Sequence, residues 1–179
     1  MIHAADRWVP ILGEGGHVEL GPVSEEEYRI WPHIERKGDR IGAEQVISGD
    51  GMVRLAAAVA RADGKTPQFS VAAEVVAAAR HGDELAEKTL ELFTAALGRI
   101  SGDMALMTLA RGDIYLAGGI PPHIESFLLD GPFRASFEVK ALHEAIMKTI
   151  PTFIIKHPRN RRLKDWRALR ARPHASPSI

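Results

Sequence analysis

DELAEKTLELFTAALGRISGDMALMTLARGDIYLAGGIPP, residues 83–122, decides the fold class. Asp83 can cap a helix. Leu90, Phe93, Leu97, Ile100, Met104 and Met107 then recur at alternating steps of three and four, which puts them on one helical face. The spacing predicts a long helix over Asp83–Ala110, with that stripe as core and with Arg111-Gly112 as its basic, glycine-capped end. Ile114-Tyr115-Leu116-Ala117 follows as a buried-strand run, stopped by Gly118-Gly119. Pro121-Pro122 can open the next helix. Helix, strand, double glycine and helix make an α/β unit, with backbone exposed where a ligand could approach a helix start. A bare strand-ending turn is the alternative reading of Gly118-Gly119.

Working outward, Ser24 with Glu27 three residues on forms a capping box, so a helix starts at Glu25 and Pro32 kinks or ends it. Ala43–Ile47 reads as a helical turn, interrupted at Ser48–Gly51. A helix is expected from about Met52 to Ala62, and another capped by Ser70 and ending near His81-Gly82. After Gly119, a helix through Ile124–Leu129, an aromatic segment around Phe133 and Phe137, and a short helix near Leu142–Met147 lead to Pro151. The strand Thr152–Ile155 comes last. In the first part, Arg7–Leu12 is extended. Gly13-Glu14-Gly15-Gly16-His17 is a loop whose glycines suit positive φ and close approach of another group, and Val18–Leu20 alternates as a strand does. A mixed sheet of a few strands with flanking helices is the expected architecture.

Composition bounds the rest. With 179 residues and 45% hydrophobic side chains, the chain suits one globular domain. Basic and acidic residues number 23 each, so no global field steers it to nucleic acid or to an anionic membrane. No apolar run approaches the ~20 residues of a membrane span. Absence of cysteine removes thiolate chemistry and disulfides and fits a reducing cytosol, so a cytoplasmic protein is expected. After His157 an Arg-rich segment begins, which reads as a disordered tail rather than a nucleic-acid surface.

Glu14, His17 and Glu44 are the candidate binding residues. A sugar presents several neutral hydroxyls; carboxylates accept charge-assisted hydrogen bonds from them, and an imidazole adds a donor or an acceptor. Each residue also has a plainer reading: His17 as a hydrogen-bonded structural histidine, Glu44 as an exposed carboxylate favoured by a helix dipole.

Pro10–Val18, with its Gly-Glu-Gly-Gly-His core, resembles the glucose-binding loop of bacterial glucokinases of the actin-like ATPase superfamily. Ile41–Gly49, Tyr115–Ile120, Gly131–Phe137 and Ile150–Ile154 are similar to further landmarks of that family, in order, from about Trp8 to Pro158. The resemblance implies the large, C-terminal lobe of an actin-like, RNase H-like sugar kinase over 1–158, with an Arg/Pro-rich tail over 159–179. It implies glucose contacts from Glu14, His17 and Glu44, and nucleotide contact at Gly118 and Gly119. ATP with magnesium is the implied cofactor and a homodimer the implied assembly. The family's zinc-using relatives need a cysteine cluster after the histidine, which this chain lacks. The family's phosphate loops and catalytic aspartate, which come from an N-terminal lobe, find no match. The expectation is therefore a chain inactive alone, with a non-catalytic sugar-binding lobe or the product of a disrupted gene as alternatives. A frameshift is the expected origin of the tail.

Overall fold

The computed structural model describes residues 2–4, 7–9, 13–110 and 112–156; the expected tail over 159–179 lies outside them. β1 (Ile2–Ala4) pairs antiparallel with β2 (Arg7–Val9). After the glycine loop come α1 (Glu25–Ile30), α2 (Glu44–Ile47), α3 (Gly49–Ala62), α4 (Ala72–Arg80) and α5 (Glu84–Met107). β3 (Ile114–Leu116) is followed by α6 (Glu125–Asp130), α7 (Phe133–Glu138), α8 (Glu144–Thr149) and β4 (Thr152–Ile154). β4 pairs parallel with β3, with Tyr115 opposite Phe153, so the three short helices form the crossover between them. The chain is α/β as expected, with its antiparallel and parallel pairings carried by two separate ladders.

α5 is the axis of the structure, packed by α3, α4 and α7. Leu90, Phe93 and Ile100 are buried on it, against Met52 and Leu55 of α3 and Val75 of α4. On another face, Gly98 and Gly102 let α7 approach closely. A Cβ on Gly98 would stand 2.2 Å from the Phe133 carbonyl oxygen, and one on Gly102 2.6 Å from that of Phe137. The stripe read from the sequence is core as far as Met104, which packs partly buried against it; Met107 is 73% exposed.

Several local expectations shift for identifiable reasons. α5 ends at Met107, ahead of Gly112. The N–H of Leu109 bonds the Leu106 carbonyl and that of Ala110 the Ala105 carbonyl, which is a Schellman closure with Leu109 at φ 44°. α3 and α4 close in the same way on Gly64 and Gly82, both at positive φ. Leu109 is 72% exposed and gains little from its side chain. Leu109→Gly should therefore raise stability by about 0.5–1 kcal/mol, relief of left-handed strain outweighing the added freedom of the unfolded chain. Urea denaturation checks this, and an unchanged or lowered midpoint would refute it.

α3 begins three residues before Met52, because the Ser48 hydroxyl accepts from the Gly51 N–H and makes the two glycines part of the first turn. Ser70 does not cap α4 with its side chain; Glu74 reaches back to the N–H groups of Ser70 and Val71 instead. The capping box of α1 is half formed. Ser24 accepts from the Glu27 N–H, but the Glu27 carboxylate takes the N–H of Val23. Ile30 is the last α residue, and the chain tightens into a 3₁₀ turn over Trp31–His33 at Pro32. β3 buries Leu116 but exposes Tyr115, which stacks on Phe153 with ring centroids 5.5 Å apart, so one face of this ladder is open.

Candidate functional site

The glycine loop forms a single 3₁₀ turn over Gly15–His17, closed by the His17 N–H on the Glu14 carbonyl at 2.9 Å. Neither Gly15 nor Gly16 takes the positive φ read from the sequence, and space is tighter at Gly15 than at Gly16. A Cβ on Gly15 would stand 3.3 Å from the Met104 sulfur, and one on Gly16 3.6 Å from Glu44 Cβ. The turn thus lies close to α5 and to the first residue of α2. His17 Nε2 lies 3.9 Å from a Glu14 carboxylate oxygen. Glu14, His17 and Glu44 are all exposed.

Val18–Leu20 is not a strand of a sheet. It zips antiparallel onto residues 41–43: the Leu20 N–H bonds the Ile41 carbonyl, the Ala43 N–H bonds that of Val18, and Glu19 bridges Gly42. This pairing carries His17 to Glu44 across 27 residues of sequence. Buried Gln45 fixes the far side, its amide oxygen accepting from the Gly42 N–H and its amide nitrogen donating to the Glu35 carbonyl, both at 2.8 Å. Trp31 ties its indole N–H to the Leu20 carbonyl at 2.8 Å. Met104 was not legible in the sequence as a residue of this region, because the glycine loop it adjoins is brought to it only by folding.

Gly118 and Gly119 follow the C-terminal end of β3. Gly118 has φ 122°, a conformation that favours glycine, and open space surrounds a Cβ built on Gly119. Gly119 and Ile120 wall a cavity of about 230 Å³ whose other side is the small-residue face of α4, Ala72, Ala73 and Ala77. Arg80 and His123 stand at its edge, joined by a hydrogen bond from the Arg80 guanidinium to the His123 carbonyl at 2.7 Å. Alanines opposite a glycine leave this cavity mostly apolar. A second cavity of about 270 Å³ opens on the other side of the same turn, lined by Phe93, Leu97 and Tyr115. The hydrogen bond from Tyr115 to Asp113, with burial and the nearby charge adding to it, holds the phenol above its ordinary pKa. Among the described residues no three imidazole, thiol or carboxylate groups converge as a metal centre. None of their helices is long and apolar enough to cross a membrane.

Against known proteins, residues 1–161 match the family described as Glucokinase. The glucokinase of Sinorhizobium fredii is 47% identical over 159 residues, covering 88% of this chain and 47% of its own. That of Agrobacterium fabrum is 45% identical over the same length and coverage. The chain spans about half the length of the curated relatives it matches. Among solved structures, glucokinase from an Antarctic psychrotroph superposes with a TM-score of 0.75 at 29% identity, over 81% of this chain and 46% of that one. Glucokinase from Balamuthia mandrillaris, solved in complex with glucose, gives 0.71 at 24% identity, over 84% and 44%, a likeness of fold.

Proposed function

This chain belongs to the glucokinase family, and we propose that it supplies the glucose-holding face and the nucleotide-side wall of an ATP-dependent hexose kinase that phosphorylates the 6-hydroxyl. The supporting observation is the antiparallel pairing of residues 18–20 with 41–43, which brings the loop carrying Glu14 and His17 close to Glu44 at the start of α2. Ionised carboxylates there accept hydrogen bonds from sugar hydroxyls, and the imidazole takes a further hydroxyl by donating or accepting. These side chains bind and orient; none of them is assigned the proton of the reacting hydroxyl. The cavity between Gly119 and α4 would hold the adenine, and ATP would supply the phosphoryl group with magnesium on its phosphates. A cytosolic setting and pairing of two copies complete this reading, the second checked by light scattering of the purified chain.

Isothermal titration with glucose is the test. Glu14→Ala and Glu44→Ala should each weaken binding by about 10- to 100-fold, the worth of one or two charge-assisted hydrogen bonds. Affinity unchanged in both variants would end the sugar assignment. Phosphoryl transfer is positioning and charge stabilisation, and the resemblance assigns the catalytic aspartate and phosphate loops to another lobe. The 179-residue polypeptide alone is therefore expected to bind glucose without turnover, with activity restored by a complement carrying the rest of the relatives' length. Turnover by the unaided polypeptide would overturn that expectation.

A further inference from the structure

We propose that Arg40 is a positioning residue for the sugar site, holding the Glu14–His17 turn against Glu44 through its hydrogen bond to the His17 carbonyl. The turn is one 3₁₀ loop with two glycines in three residues, and its second closing bond, from Val18 N–H to the Gly15 carbonyl, is long at 3.4 Å. Such a segment has a large backbone entropy to lose and little of its own to hold it. Carbonyls at the end of a helical turn have no partner within the turn. The His17 carbonyl is one of these, and the Arg40 guanidinium takes it. This bond lands on the residue that carries the imidazole.

Arg40 is itself held. It closes a tight turn with Lys37 across Gly38, which has φ 68°. That turn is anchored from beneath by Gln45 through the Gly42 N–H and the Glu35 carbonyl. The guanidinium thus works from a base held on both flanks by Gln45. Its side chain is exposed, so its loss should leave the core untouched.

The functional consequence rests on the sugar reading above; the ordering of the turn does not. The test uses the 179-residue chain with Arg40→Met, which keeps the stem and removes the donor, and Arg40→Lys, which returns one donor. Amide exchange and the imidazole NMR signals of His17 report the turn without any ligand, and titration with glucose reports the site. Arg40→Met should speed exchange at His17 about tenfold and weaken glucose binding about tenfold, with an unchanged melting temperature and partial recovery in Arg40→Lys. Unaltered His17 exchange and ring signals in Arg40→Met would overturn the positioning role, as would full glucose affinity in that variant. If the unmodified chain shows no glucose binding while Arg40→Met still loosens His17, the positioning role stands and the sugar reading falls.

Discussion

Glu27→Ala is expected to lower the unfolding free energy by about 3–5 kcal/mol, the cost of stranding a buried charge. Glu27 is 3% exposed and accepts from Arg99 at 2.9 Å, with the arginine side chain 12% exposed. The guanidinium also lies over the Trp31 ring, 5.9 Å from its centroid. Nε and Nη2 of Arg99 are buried without a hydrogen-bond partner among the described residues, so the carboxylate is its main compensation. Removing Glu27 also frees the Val23 N–H that it accepts. Replacing both partners, as Glu27→Leu with Arg99→Met, should restore most of the loss, because the pair is costly to bury as well as to break. A denaturant-based double-mutant cycle measures both. A single-variant loss below about 1 kcal/mol would show that water or a shift of α1 rescues the arginine.

Gly98→Ala is the second large effect, expected to cost about 3 kcal/mol or more. Alanine is the better helix former, so propensity alone predicts a gain of about 1 kcal/mol. The opposing fact is the Phe133 carbonyl oxygen, 2.2 Å from where the Cβ would sit. Backbone cannot rotate away as a side chain can, so α7 must move off α5 and open the packing around Phe133 and Phe137. Gly49→Ala is the control: it makes the same chemical change at the start of α3, with nothing within 4 Å of the new Cβ. Its expected effect is neutral or slightly stabilising. Equal melting temperatures for the two variants would contradict the close-approach account.

Both effects come from contacts that a linear reading passes over. The residues Gly98-Arg99-Ile100-Ser101-Gly102 stand in the middle of the stretch from which the long helix was read. Periodicity identified the Leu90–Ile100 face and missed the glycine face, because small residues carry no hydrophobic signal even when they set how near two helices come. No local pattern pairs Arg99 with its partner Glu27, which lies 72 positions earlier. Of the site, residue types and family landmarks named Glu14, His17 and Glu44, but nothing local named Arg40 or Gln45.

What the sequence determined by itself is local. It set the helices capped by Ser24 and Asp83, the chain tightening at Pro32, and the strand halted by Gly118, because each depends on hydrogen bonds and steric limits within a few residues. Where α5 stops was not legible, since Leu109 takes a conformation that glycine would signal more plainly; tertiary structure decided the rest. It decided which face of β3 is covered, and it joined residues 18–20 to 41–43, bringing the glycine loop close to the start of α2. Those outcomes turn on segments that must pack at the same time. Their free energy is a property of the assembled core, and no window of the chain contains it.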